Sequence, residues 1–173
     1  MPFRLTGCLA SVLCLLVIAA ETGCGTASSA TNRAGDVLNW KGHTWNLTAG
    51  GMAGVAKGDP ANVFVDENGY LHLRIINRGG TYTASELFST DKIGFGTYQW
   101  QVEGHADNMD KSTVLGLFPY GPKAGIGVDA ENEIDIEFSR WGEETGDNSQ
   151  FVVQPWDHVG NRHRFNMNLQ GDY

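Results

Sequence analysis

Three acidic side chains alternate with apolar ones in residues 132–138, which read NEIDIEF. Successive side chains of a β-strand point to opposite faces. Glu133, Asp135 and Glu137 would therefore share one face of such a strand, and Ile134 and Ile136 would anchor its other face in the core. Neighbouring carboxylates would lie roughly 6.6 Å apart along the strand, at about 3.3 Å per residue.

Carboxylates this close raise one another's pKa, which suits acid chemistry: one group stays ionised as a nucleophile while another stays protonated as a general acid. The Cα atoms of Glu133 and Glu137 would be roughly 13 Å apart on a straight strand. On a twisted strand their carboxyl groups could reach the ~5–5.5 Å of a retaining glycosidase. An exposed acidic strand without chemistry and a calcium site remain as alternatives.

The elements around this strand are also predicted to be β. The chain has 23 glycines and five prolines, and no stretch shows a convincing helical period of apolar residues. The candidate strands cover residues 63–65, 70–77, 86–89, 96–103, 114–118, 133–138, 150–154 and 163–169. Many short strands separated by glycine-rich turns predict an all-β fold, a two-sheet β-sandwich or jelly roll.

The N-terminus resembles an export signal. An apolar run at residues 9–20 follows Arg4, and it is shorter than the ~20 residues that a membrane span needs. We predict a signal peptide or lipoprotein signal at residues 1–24, a flexible linker at 25–38 and a catalytic domain at 39–173. Cys24 would carry the lipid of a lipoprotein, while residues 28–30 suit an ordinary signal peptidase. Both alternatives place the domain outside the cytoplasm, secreted or lipid-anchored at the bacterial cell envelope.

Charge and cysteine usage exclude several classes of function. The formal net charge is −8, which would repel a nucleic-acid backbone. All three cysteines precede residue 25, so the domain is expected to contain neither a disulfide nor thiol chemistry. The five histidines show no zinc-ligand spacing, and no phosphate-binding loop occurs. We therefore expect no metal and no cofactor.

The segment EIDIE at residues 133–137 resembles the signature of glycoside hydrolase family sixteen. The resemblance extends to ASELFST at 84–90, GFGTYQWQV at 94–102, VLGLFPY at 114–120 and VVQPW at 152–156. It implies a jelly roll whose concave face forms a sugar-binding cleft. It further implies that Glu133 is the nucleophile and Glu137 the acid/base, that Asp135 tunes the nucleophile, and that Glu86 contacts sugar hydroxyls.

Other side chains are candidates for binding sugar. Trp141 would continue the Glu133 face if the strand extends, and its ring would then stack on a pyranose or else pack beneath the following loop. Trp156 alternates with Gln154 and His158, so all three would face the cleft. Trp40, Trp45 and Trp100 are instead expected to pack in the core or at its edge.

These features predict a monomeric, endo-acting, retaining hydrolase of a β-glucan-type polysaccharide. Transglycosylation by the same residues and a non-catalytic carbohydrate-binding sandwich are the alternatives. Phe88 and Glu131 stand where the family's glucan-cleaving members carry an arginine and an aromatic residue, which leaves the substrate open. Family domains continue for several strands beyond the position of Tyr173, so we expect an incomplete domain with exposed apolar side chains near residues 163–169.

Overall fold

A computed structural model describes residues 33–34, 36–52, 56–89, 91, 95–102, 104–121 and 132–169. The predicted export signal at 1–24, including Cys24, and Glu131 lie outside the described residues. Most of the predicted linker lies outside them as well.

The described chain is all-β, as predicted. Its helical content in these ranges is limited to two 3₁₀ turns, Pro60–Asn62 and Ala106–Asn108. The strands in the described residues are β1 (Arg33–Ala34), β2 (Val37–Trp40), β3 (His43–Leu47), β4 (Gly50–Met52), β5 (Ala56–Gly58), β6 (Val63–Val65), β7 (Leu71–Leu73), β8 (Ile76–Arg78), β9 (Thr81–Thr83), β10 (Leu87–Ser89), β11 (Leu115–Leu117), β12 (Ile134–Phe138), β13 (Ser149–Val153) and β14 (Arg162–Phe165).

These strands form two four-stranded antiparallel sheets and three hairpin ribbons. The first sheet has the order β1-β2-β3-β10, and the second has the order β11-β12-β13-β14. The ribbons pair β4 with β5, β6 with β7 and β8 with β9. The second sheet carries the acidic strand β12 between two hydrogen-bonded neighbours, so the backbone of β12 is fixed on both edges.

Two hairpin turns were predictable from their residue types. Asp66 begins the turn between β6 and β7, and its Oδ1 accepts hydrogen bonds from the backbone N–H groups of Asn68 (3.0 Å) and Tyr70 (2.8 Å). Gly79 and Gly80 connect β8 to β9 with φ angles of 61° and 88°. These left-handed angles favour glycine, which has no Cβ to clash.

One hydrophobic core draws on both four-stranded sheets and on the β6–β7 ribbon. Its buried members are Leu38, Trp40, Trp45, Leu47, Val63, Leu71, Leu87, Ala106, Leu115, Leu117 and Phe138. Trp45 Nε1 donates to the Trp40 carbonyl at 3.0 Å, which satisfies its polar atom inside the core. Trp100 packs partly buried against the same cluster. The prediction that Trp40, Trp45 and Trp100 are packing residues is confirmed.

The domain begins earlier than the sequence predicted. Strand β2 starts at Val37, and Leu38 is fully buried in the core, although both lie in the predicted linker at 25–38. The small polar residues before residue 36 concealed the apolar alternation that begins at Val37.

Two predicted strands also differ from the structure. Residues 96–102 were predicted to form a strand and contain none in the structure. The predicted strand at 70–77 is divided into β7 and the start of β8.

The apolar face of the second sheet is covered only on its β11 side. Leu115, Leu117 and Phe138 are buried. Further along the sheet, Ile134 is 56% exposed, and Phe151 and Val153 on β13 are each 48% exposed. Ile134 lies opposite Val153 in the register, so they form one continuous apolar surface.

One prediction about this face was wrong, and a second was confirmed in part. Ile134 was expected to be buried together with Ile136, yet Ile134 is exposed and Ile136 is only partly buried. Exposed apolar side chains were also expected near residues 163–169. The exposed Phe151 lies opposite His163, as expected, whereas Met167 and Leu169 pack against the core. Alternation predicts which side chains share a face but not how far another layer covers that face.

Stability measurements would test this unequal covering. Leu38→Ala should lower the free energy of unfolding by about 2–5 kcal/mol, because a fully buried side chain leaves a cavity. Ile134→Ala should cost less than about 1 kcal/mol, because most of its side chain already meets water. Urea unfolding of both variants measures the difference. Equal losses would mean that Ile134 is covered, as the sequence suggested.

Candidate active site

The acidic residues of β12 are held by backbone pairing on both sides. Asp135 lies opposite Val152, and Glu137 lies opposite Gln150 on one side and Gly116 on the other. Glu133 precedes the strand and forms an isolated bridge with Tyr120. Its carbonyl accepts the Gln154 backbone N–H at 3.1 Å. The predicted single acidic face is therefore built on a fixed segment rather than on a loop.

The three carboxyl groups interact with one another. Asp135 is buried, with 4% of its surface exposed, whereas Glu133 and Glu137 are partly buried. A side-chain hydrogen bond joins Glu133 and Asp135. Because two carboxylates have only acceptor atoms, one of the pair must carry a proton to make this bond. We call Glu133, Asp135 and Glu137 the carboxylate trio.

Burial raises the pKa of every member of the trio, and the negative charge of Asp135 adds to the rise at Glu133 and at Glu137. Burial first, and then the negative charge of Asp135, raise the pKa of Glu133 to about 8. Burial also raises the pKa of Asp135, although hydrogen bonds from Glu133 and Gln154 act against the rise. The Glu133–Asp135 pair consequently retains one shared proton at neutral pH.

Glu137 lies in a mixed environment. Burial raises its pKa, and a hydrogen bond from Gln150 lowers it. The charge of Asp135 raises this pKa further, while the positive charge of Arg164 lowers it. On balance the pKa of Glu137 is raised, so this carboxyl group keeps its proton to a higher pH than an exposed glutamate does.

Two amide side chains, one on β13 and one just after its end, donate hydrogen bonds to two of the carboxyl groups. Gln150 Nε2 donates to Glu137 Oε2 in a short hydrogen bond. Gln154 Nε2 donates to Asp135 Oδ2 at 2.8 Å, and its Oε1 accepts the backbone N–H of Trp156 at 3.0 Å. Gln154, predicted as a sugar contact, thus connects the trio to the loop that carries Trp156.

Glu86 acts on the trio from the other sheet. It immediately precedes β10 in the first sheet and is partly buried. Its negative charge contributes to the raised pKa of Glu133. Two distant parts of the sequence therefore contribute acidic groups to one site, while a contact of Glu86 with sugar remains a prediction.

The two candidate tryptophans have different surroundings. The Arg164 guanidinium lies 4.1 Å from the centre of the Trp141 ring and covers one face of that ring. Trp156 is 55% exposed, and the Arg162 guanidinium lies 5.2 Å from its ring centre. Of the two, Trp156 offers more ring surface to a sugar. The predicted stacking role of Trp141 is restricted to its other face.

His158 lies in the exposed turn after β13. Its backbone N–H donates to the Pro155 carbonyl at 3.2 Å, and its carbonyl accepts from Asn161 at 3.1 Å. Among the described residues, no hydrogen bond joins its imidazole to the trio. The structure thus brings Glu86 and Gln154 to the carboxylates but does not connect His158 to them.

Sequence reasoning missed Gln150 and Arg164. Both face the trio because the register places Gln150 between Glu137 and Arg164 on three adjacent strands. The alternation of Gln150, Val152 and Gln154 could have indicated a shared face. The pairing partner across the strands, however, depends on the register, which no local pattern in this segment specifies.

Comparisons with protein-family models, curated proteins and solved structures found no match. In the ranges that the structure describes, no helix is long and apolar enough to cross a membrane. Among the same residues, no group of three or more His, Cys, Asp or Glu side chains is arranged to hold a metal ion.

The proton held by Glu133 makes stability depend on pH. The unfolded chain loses this proton near the ordinary pKa of 4.5, whereas the folded protein keeps it to about pH 8. Between these values the folded state binds more protons, so the free energy of unfolding should fall as pH rises. The two pKa values alone would give about 5 kcal/mol, and solvent screening of the partly exposed carboxyl reduces this to on the order of 2 kcal/mol.

Glu133→Gln should flatten this dependence, because the amide does not ionise. Urea unfolding between pH 5 and pH 8.5 measures the effect. Glu67→Gln, which changes an exposed carboxyl in the β6–β7 turn, is the matched control and should leave the slope intact. Parallel curves for wild type and Glu133→Gln would contradict the assignment.

Proposed function

We propose that this protein is a retaining, endo-acting glycoside hydrolase that cleaves a β-glucan-type polysaccharide. The observation that carries the proposal is the carboxylate trio, whose members share one strand face and have raised pKa values because burial disfavours their charged forms. A merely solvated acidic face would leave its carboxyl groups exposed and ionised. The trio instead combines burial, a shared proton and amide donors, as acid–base catalysis requires.

The first chemical step needs one acid and one nucleophile. Glu137, when protonated, donates its proton to the glycosidic oxygen as the bond from that oxygen to the anomeric carbon breaks. A Glu133 carboxylate oxygen forms a bond to the same carbon and yields a glycosyl-enzyme. Since Glu133 and Asp135 share a proton, Glu133 becomes nucleophilic when that proton resides on Asp135. The buried Asp135 would thus act as a proton store for the nucleophile.

The second step releases the sugar. Glu137, now ionised, takes a proton from a water molecule, whose oxygen bonds to the anomeric carbon while the bond to Glu133 breaks. Two inversions give net retention, and Glu137 regains its proton. The opposed influences on the pKa of Glu137 suit this change of role. The mechanism uses no cofactor.

The finer architecture is part of the same proposal. Two facing sheets in a jelly roll would place the carboxylate face in a concave cleft. The shared core of both four-stranded sheets supports this arrangement. We further propose a monomer that works outside the cytoplasm, either secreted or anchored through Cys24.

Chemical rescue would test the roles of the two glutamates. Glu133→Ala and Glu137→Ala should each lower polysaccharide cleavage about a hundredfold or more. Azide should restore cleavage of an activated β-glycoside by Glu133→Ala with inverted product, because it enters where the nucleophile was. With Glu137→Ala, azide should give a product of retained configuration. Glu67→Ala, remote in the β6–β7 turn, should keep full activity.

Two results would contradict the proposal. Azide products of the same configuration from both variants would refute the role assignment, and undiminished polysaccharide cleavage would show that β12 is not the active site. Product analysis on lichenan, laminarin, xyloglucan, agarose and carrageenan identifies the substrate. The same analysis separates hydrolysis from transfer to a second sugar.

Trp156 should contribute binding rather than chemistry. Its exposed ring can stack on the C–H face of a pyranose, so Trp156→Ala should raise KM for the polysaccharide up to roughly tenfold with little change in kcat. Val159→Ala, in the same exposed loop, is the control and should leave KM unchanged. A loss confined to kcat would contradict a stacking role.

A further inference from the structure

Three side chains contact Arg164 on the polar face of the second sheet. Its Nε donates to Gln150 Oε1 at 3.2 Å, and its guanidinium covers the Trp141 ring at 4.1 Å. Its Nη1 lies 3.6 Å from Glu143 Oε1. Its charge also acts on Glu137. A long cationic side chain that is fixed in this way presents its charge at a defined position.

The backbone at Trp141 is shaped to supply one of these contacts. Trp141 has a φ of 48°, in the left-handed region, and is followed by Gly142 at 86°. Such a φ is uncommon for a bulky residue and costs about 1 kcal/mol. Hydrogen bonds from Trp141 N–H to Ser139 Oγ (2.9 Å) and from Gly142 N–H to the Lys111 carbonyl (2.8 Å) maintain it. The turn aims the ring at Arg164.

Arg164 also determines the orientation of the Gln150 amide. A guanidinium has only donors, so it must face the amide oxygen. The amide NH₂ then points to Glu137, to which it donates. A group that can only donate favours the carboxylate form of its partner over the carboxylic acid, and the adjacent cation polarises the amide in the same direction.

We propose that Arg164 is a positioning residue that acts through Gln150 to orient Glu137 and to favour its ionised form. The chain Arg164–Gln150–Glu137 crosses three adjacent strands, and Trp141 and Glu143 brace its cationic end. The catalytic consequence rests on the function proposed above. Since Glu137 must be ionised when it activates water, this chain assists the second step more than the first.

The other charges around Glu137 set the sign of the effect. Asp135 and Glu133 are its acidic neighbours along β12, and Gly116 on β11 presents no side chain. Glu143 partly neutralises Arg164. Arg164 is thus the cation that opposes the acidic neighbours of Glu137. Its removal should leave Glu137 protonated to higher pH.

A direct titration tests the proposal without relying on activity. The ¹³C signal of the Glu137 carboxyl, assigned by its loss in Glu137→Gln, is followed from pH 4 to pH 10. In Arg164→Gln the midpoint should rise by roughly half a pH unit or more. Arg162→Gln removes an arginine from the same strand and the same face, beside Trp156, and is the matched control. Its Glu137 midpoint should equal that of wild type.

Two further variants test the route through Gln150. Gln150→Leu should also raise the midpoint, and adding Arg164→Gln to it should raise the midpoint less than Arg164→Gln does alone. Arg164→Lys retains the charge but loses the Nε donor, so its midpoint should lie between those of wild type and Arg164→Gln. If Arg164→Gln does not fold, Arg164→Lys still tests the contribution of the Nε donor. Unchanged midpoints in the Arg164 and Gln150 variants would overturn the proposal.

Kinetics separate this proposal from the proposed function. If the protein cleaves polysaccharide, the basic limb of the kcat/KM profile should move to higher pH in Arg164→Gln, and release of the glycosyl-enzyme should slow. If no glycan is cleaved while the carboxyl midpoint still moves, the proposed function fails and the positioning role stands. If cleavage occurs and neither the midpoint nor the profile moves, the positioning role fails alone.

Discussion

The register of β12 between its neighbours is the constraint on which the site and part of the core both depend. It sets Glu137 opposite Gln150 on one face and Phe138 opposite Ser149 on the other. A slip of one residue would exchange the two faces, because side chains alternate with a period of two. The carboxyl groups would then point into the core, and the isoleucines would occupy the polar face. The same register is therefore required both for the packing of the core and for the geometry of the site.

Within this register, the site balances like charges with neighbouring donors. Three carboxyl groups on one strand repel one another, and their burial adds a desolvation cost. A shared proton between Glu133 and Asp135 relieves part of that cost. Gln154 and Gln150 supply donors to Asp135 and Glu137. The acidic residues define the chemistry, while the amides on the neighbouring strand make their close approach tolerable.

Much of this arrangement could be predicted from local patterns. Alternation in EIDIE predicted the common acidic face, and the residue types from Asp66 to Gly69 are those of the tight turn that follows β6. The exposure of Ile134 could not be predicted, because alternation does not reveal how far another layer extends over a sheet. The contact between the Arg164 guanidinium and the Trp141 ring could not be predicted either, since it depends on a left-handed turn and on the register of β14. Errors therefore concern long-range contacts more than strand identity.

The exposed apolar surface of Ile134, Phe151 and Val153 also affects how readily molecules of the protein associate in solution. A net charge of −8 keeps molecules apart in solution, and this repulsion extends about 8 Å at physiological ionic strength. Added salt shortens that range, and acid removes the charge itself, while the apolar surface is unaffected by either. Salt and acidity should therefore govern how concentrated a solution of this chain can become before its molecules associate.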